Sequence, residues 1–198
     1  MFMKAFVVAS IGLTIAFSSA AECLLQIGGR NSVSLRSAPD SGSPAIRELP
    51  AKTIVQVIKA QTIERENWLQ VNQPAIGWIP LKSITTFCGE TSQDQTANVN
   101  SLKVRGMAGD TRAVERLSYF LYKGAEGELK EVTIEALEDI AVTNPIAIVN
   151  VMDNQVEVVR KSVLKQLHKS KKAREKLDET LQRYSPNTPT VKTWNSIK

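Results

Sequence analysis

The hydrophobic pattern of this chain changes period near residue 90. Upstream, apolar and polar residues alternate in short runs broken by turn formers, the period-two pattern of half-buried strands. The runs are 23–27, 32–36, the stretch Ala45, Ile46 and Leu49, then 53–58, 67–71 and 77–81. Gly28-Gly29, the 38–44 segment APDSGSP and Pro50-Ala51-Lys52 lie between them and carry the residues that turns favour. Short strands at this spacing predict a small β-barrel or sandwich. About 65 residues can just support one core.

Downstream, apolar residues recur at helical spacing. Asp110 is placed to cap a helix over 111–123 that buries Val114, Leu117, Phe120 and Leu121 and stops at Gly124. A second helix over 126–142 carries the stripe Leu129, Val132, Ala136, Leu137, Ile140 and Ala141. Asn144-Pro145 reads as a cap followed by proline at the first helical position. The almost wholly apolar 146–152 is the expected centre of this half. Val156, Val159, Val163, Leu164 and Leu167 mark a further helix, and 169–184 a mostly polar one. The prediction is an all-α bundle of four or five helices, with only a weak resemblance to HEAT repeats. Between the halves, ETSQDQTANVNS at 90–101 reads as a polar linker. The expected organisation is a β module at 21–89, a linker at 90–109, a helical domain at 110–184 and a loose tail at 185–198.

The extreme N-terminus follows neither pattern. Lys4 precedes an apolar run from Ala5 to Phe17, and Ser18 and Ala20 supply small residues at −3 and −1 of a cleavage position. This predicts a signal peptide at 1–20 and export to the periplasm or the medium. The run is shorter than the about 20 residues of a membrane span, and no other segment is apolar enough to predict a transmembrane helix. In an oxidising compartment the only two cysteines, Cys23 and Cys88, are expected to pair. Closing so long a loop contributes roughly 4 kcal/mol in the chain-entropy model.

Within the β half, Ser34-Leu35-Arg36-Ser37-Ala38-Pro39, Ser43-Pro44-Ala45-Ile46, Leu49-Pro50-Ala51-Lys52-Thr53, Trp68 and Gly77-Trp78-Ile79 occur in that order. This series resembles the bacterial SH3 (SH3b-type) domain over about residues 27 to 85. The chain departs from that pattern at Ala51-Lys52, at Leu69 after Trp68, and at 61–66, which lengthens the hairpin before Trp68. The resemblance implies an SH3-like barrel whose first and last strands lie close together, so that a Cys23–Cys88 bridge would staple its ends. It also implies recognition of cell-wall peptide or of a protein partner, with Trp68, Trp78 and Arg36 as the candidate contact residues.

Charge adds a second candidate surface. The net charge is +5, but 110–157 holds ten acidic and four basic residues, whereas 158–198 holds three acidic and eleven basic ones. Arg160, Lys161, Lys165, Lys169, Lys171 and Lys172 form a basic surface that could meet an anionic partner. An exported protein without aromatic residues in that run is not expected to bind nucleic acid.

The chemistry-bearing residues are few. A single histidine, His168, and a paired cysteine set leave no zinc site and no Cys–His nucleophile. Glu135, Glu138 and Asp139 share a helix face without a nearby aromatic cleft, and no glycine-rich loop precedes a helix. No cofactor, no metal and no catalytic residue is expected. The reading is an exported, non-catalytic cell-envelope protein that binds peptidoglycan or an envelope protein. A regulator or immunity-type inhibitor of a secreted toxin or enzyme is the alternative, and a wall hydrolase a more distant one.

Overall fold

The computed structural model describes residues 24–87 and 89–197. The segment 1–20, expected to be a signal peptide, and Cys23 and Cys88 lie outside the described residues. Among the described residues, seven strands are followed by seven helices. The strands are β1 (Leu24–Ile27), β2 (Val33–Arg36), β3 (Ala45–Leu49), β4 (Ile54–Ile63), β5 (Glu66–Gln73), β6 (Gly77–Pro80) and β7 (Ile84–Phe87), with one 3-10 turn at Leu81–Ser83. They form one antiparallel sheet in the order β3-β2-β6-β5-β4-β1-β7. The expected barrel is therefore an open sheet with β3 and β7 at its edges. The expected proximity of its ends is present, because β1 pairs with β7 and Leu24 lies opposite Phe87.

The lengthened hairpin at 61–66 extends the ladder and adds no loop. Ile63 pairs with Glu66, and only Glu64 and Arg65 turn, with φ of 48° and 71°. Positive φ at both central residues gives a two-residue turn whose twist matches that of its flanking strands.

On the inner face Leu25, Ile27, Leu35, Leu49, Val55, Val57, Leu69, Val71 and Ile79 make a core. An open sheet of this size cannot bury that face alone. Tyr119, Val156 and Val159, all from the helical half, complete the cluster. Gly77 is required where β6 meets β2. A Cβ there would lie 2.6 Å from Leu35 Cγ and 2.9 Å from the Arg36 carbonyl oxygen. Because one obstacle is backbone and the other is the branch point of a fully buried leucine, neither can move aside. Gly77→Ala is expected to cost about 2 kcal/mol and to lower Tm by roughly 4–8 °C, read by thermal unfolding. A melt unchanged within about 1 °C would show that β2 and β6 can separate.

The helices are α1 (Ser92–Met107), α2 (Thr111–Lys123), α3 (Gly127–Thr143), α4 (Pro145–Asp153), α5 (Glu157–Lys169), α6 (Lys171–Leu181) and α7 (Pro189–Ser196). The capping expectations hold. The Asp110 carboxylate accepts from the N–H groups of Arg112 (3.0 Å) and Ala113 (3.3 Å), and Gly124 follows the last residue of α2. Asn144 Oδ1 accepts from Ala147 N–H at 3.3 Å, with Pro145 opening α4.

The helix count exceeds the expected four or five because two segments read as irregular are helical. The supposed linker contains α1, which opens on a capping box between Thr91 and Asp94 and packs on α2 and α3. Its contact with α3 is close: a Cβ on Gly106 would lie 2.5 Å from Ile140 Cδ1. The supposed tail contains α7, whose Val191 and Trp194 join the helical core.

Candidate binding site

Strand alternation divides the aromatic residues from the core. On β5 and β6, Leu69, Val71 and Ile79 face inward, so Trp68 and Trp78 point to the other face. Across the ladder Trp68 is opposite Pro80 and Trp78 opposite Gln70, which makes the two indoles diagonal neighbours. Both are nonetheless buried, at 2% and 7% exposure. Neither candidate contact tryptophan is an open ring. Lys59 Nζ lies 5.9 Å from the Trp78 ring centroid, a cation–π contact that occupies that ring.

Trp68, although buried, lines a cleft of about 470 Å³ between two turns. One wall is Pro39-Asp40-Ser41, the other Ile63, Glu64 and Glu66 at the tip of the β4–β5 hairpin. The first wall is held from within. Ser43 Oγ donates to the carbonyl oxygens of Ala38 (2.9 Å) and Asp40 (2.8 Å), and Gly42 N–H donates to Asp40 Oδ1 at 3.0 Å. Arg36 Nη1 donates to the Ser43 carbonyl at 2.6 Å. Arg36 is thus a brace that sets the wall, and the structure gives it that role beside the contact role expected from sequence.

The cleft is acidic at its rim. Asp40, Glu64 and Glu66 contribute carboxylates from two turns that meet at this cleft. Lys82 Nζ meets Glu66 Oε1 at 3.3 Å, but both side chains are well exposed, so this pair is worth at most about 1 kcal/mol and can exchange for a ligand cation. Three carboxylates around one cleft suit an ammonium or guanidinium group. These acids are not legible as a site in the sequence. The turn composition at 38–44 pointed to the wall, but nothing local joins Asp40 to Glu66.

The basic surface is less uniform than its sequence suggested. Arg160 is turned inward, where its guanidinium donates to Thr193 Oγ1 (2.9 Å) and to the carbonyls of Gln155 (2.8 Å) and Met152 (3.2 Å). It ties α5 to α4 and α7 and does not belong to the surface. Lys161 pairs with Glu157 at 3.6 Å and Lys171 with Glu175 at 4.0 Å. Lys165, Lys169 and Lys172 are exposed, with Lys169 Nζ 3.0 Å from Gln166 Oε1. His168 packs edge-on to Trp194, ring centroids 5.1 Å apart. Among the described residues no helix is long and apolar enough to cross a membrane.

Residues 31–85 match the family model described as bacterial SH3 domain. The match runs from just before β2 into β7 and includes every residue that lines the Trp68 cleft. It shows the family resemblance drawn from the sequence motifs, and a domain of this family suggests a cell-wall or protein binding module. No curated protein and no solved structure matches the chain.

Proposed function

We propose that this chain is an exported, non-catalytic binding protein of the cell envelope. Its SH3 module takes a cationic peptide segment, from the wall or from a protein partner, into the Trp68 cleft. The observation that carries this reading is the acidic rim of the cleft, set by an internally hydrogen-bonded turn within the residues that match the family. Preorganised walls reduce the ordering cost of binding, and the carboxylates select for positive charge. Leu24 opposite Phe87 puts the neighbours of Cys23 and Cys88 on paired strands, which supports the proposed bridge and with it an oxidising compartment. The exposed Lys165, Lys169 and Lys172 are a secondary contact for an anionic surface.

Retention on purified peptidoglycan, and titration with an amine-bearing wall peptide, test the reading. Asp40→Asn combined with Glu64→Gln is expected to weaken binding about five- to tenfold at low salt, since each exposed charge is worth up to about 1 kcal/mol. The difference should shrink as salt screens the rim. Equal retention of parent and double variant at low salt would remove the cleft from the function.

A further inference from the structure

The β4–β5 turn contributes to two concavities of opposite sign. The first is the acid-rimmed Trp68 cleft. The second, of about 250 Å³, lies between the turn and the end of α2 and is lined by Arg65, Asn67, Lys82, Tyr122 and Lys123. Glu66 lines both. Tyr122 and Lys123 fall outside the residues that match the family, so the second concavity is built by both halves of the chain. Tyr122 packs against the sheet core, which fixes the end of α2, and Lys123 with it, beside the turn.

The charges of this concavity are not balanced from within. Glu66 is the only carboxylate among its lining residues, and Lys82 Nζ already meets Glu66 Oε1 at 3.3 Å. Arg65 and Lys123 remain. Neither side chain makes a hydrogen bond or ion pair with another described residue, and Lys123 Nζ stands 5.8 Å from the Tyr122 ring centroid instead. Lys123 is partly buried, and burial holds its ammonium below the ordinary range with no carboxylate to offset it. Desolvated charges in proteins are normally paired, so this one lacks a counter-charge. Asn67 engages its Oδ1 with Thr62 Oγ1 at 2.8 Å, which leaves its amide N–H groups as further donors.

Two uncompensated cations and an amide donor around one small concavity are the complement of an oxyanion. The volume is below the about 300–1,000 Å³ of most ligand sites, which suits a single charged group better than a whole ligand. Lys82 couples that group to the neighbouring cleft. A ligand cation that takes Glu66 releases the Lys82 ammonium, and the anion then gains a third positive partner. A peptide that carries both an ammonium and a carboxylate exploits this exchange, whereas a phosphate polymer of one sign does not. We propose that the concavity between the β4–β5 turn and the end of α2 binds a peptide carboxylate, held by Lys123 and Arg65, and by Lys82 once the same peptide's ammonium engages Glu66. The choice of a peptide rests on the reading of the Trp68 cleft; the anion site itself does not.

The test uses the full chain at low salt and four tripeptides blocked at both ends. Lys-Ala-Glu carries both charges, Lys-Ala-Gln the ammonium alone, Gln-Ala-Glu the carboxylate alone and Gln-Ala-Gln neither. Titration followed by NMR is expected to show saturable shifts at Tyr122 and Lys123 with Gln-Ala-Glu and none there with Gln-Ala-Gln. Lys123→Gln should weaken Gln-Ala-Glu about fivefold. Lys123→Arg should retain its binding, and Asp40→Asn/Glu64→Gln should not weaken it. Lys-Ala-Glu should bind at least about fivefold more tightly than either singly charged peptide, because its second contact is intramolecular. The proposal is overturned if Gln-Ala-Glu shifts neither residue at tens of millimolar, or if Lys-Ala-Glu gains nothing over the singly charged peptides; neither comparison needs a variant. Inorganic phosphate binding there about tenfold more tightly than Lys-Ala-Glu would overturn it too, by making the ligand a phosphate. Lys-Ala-Gln reads the Trp68 cleft alone. If it binds while Gln-Ala-Glu does not, the anion site falls and the cleft stands. The reverse removes the cleft, and with it the peptide.

Discussion

Replacing Trp194 by alanine is expected to destabilise the protein by about 3–5 kcal/mol, the range for removing a large buried aromatic side chain. Trp194 is 1% exposed and belongs to the helical core. Its Nε1 donates to Asp178 Oδ1 at 2.8 Å, and its ring meets His168 edge-on at 5.1 Å. The helix that carries it is tied at two further points: Thr190 N–H donates to Asp153 Oδ1 at 2.9 Å, and Arg160 Nε donates to Thr193 Oγ1 at 2.9 Å. Without the indole, α7 keeps its polar ties but loses its anchor between α5 and α6. Trp194→Phe separates the causes, because it retains most of the ring and removes the hydrogen bond; it should cost about 1.5–3 kcal/mol, the worth of a bond to a charged acceptor. Urea unfolding reads both changes as a lower midpoint at constant slope. A loss below about 1 kcal/mol for Trp194→Ala would mean that the C-terminal segment is dispensable to the fold.

The same helix shows where the sequence was legible and where it was not. Helix α2 was readable to the residue, because Asp110 and Gly124 bracket a full apolar stripe. Asn144-Pro145 was equally plain. By contrast α7 carries only Val191 and Trp194 as large inward residues. Its proline, which opens the helix at the first turn, resembles a breaker when the segment is read alone. Helix α1 fails for a related reason. Its buried positions are Asn98, Val99, Leu102 and Gly106, so half of the inward stripe is polar or has no side chain, and close packing on Ile140 replaces apolar bulk. The Thr91-x-x-Asp94 capping box was present and could have flagged it.

For the sites, pattern identified the module and not the contacts. Trp68 was visible as an aromatic in a motif, yet the acids near it come from turns far apart in sequence that meet only in the folded chain. Arg36 and Arg160 are long polar side chains that a sequence assigns to solvent. Both reach backbone carbonyls instead, an outcome decided by which turns happen to end beside them.

Glu115 carries the strongest expected pH dependence. Burial against the sheet raises its pKa from the ordinary 4.5 to about 7, an effect only partly offset by the Gln155 hydrogen bond and by Arg116 and Arg112. The groups facing it are those two arginines, Gln155, and Tyr119, whose own hydroxyl is pushed well above its usual range by burial and by Glu115; among these only Glu115 titrates near neutrality. In the unfolded chain the carboxyl ionises near its ordinary value. Between about pH 4.5 and 7 the folded state therefore binds more protons, and stability falls as pH rises. The stabilising preference for the protonated form is complete below pH 4.5 and lost above 7, a change of at most about 3 kcal/mol. Glu115→Gln keeps a hydrogen-bonding partner for Gln155 and removes the proton equilibrium. The variant should match the parent at pH 4.5 and exceed it by up to about 3 kcal/mol at pH 8, as read by urea unfolding at both values. Parallel stability curves for the two proteins would mean that water reaches the carboxylate and that the seam between sheet and helices is open at its base.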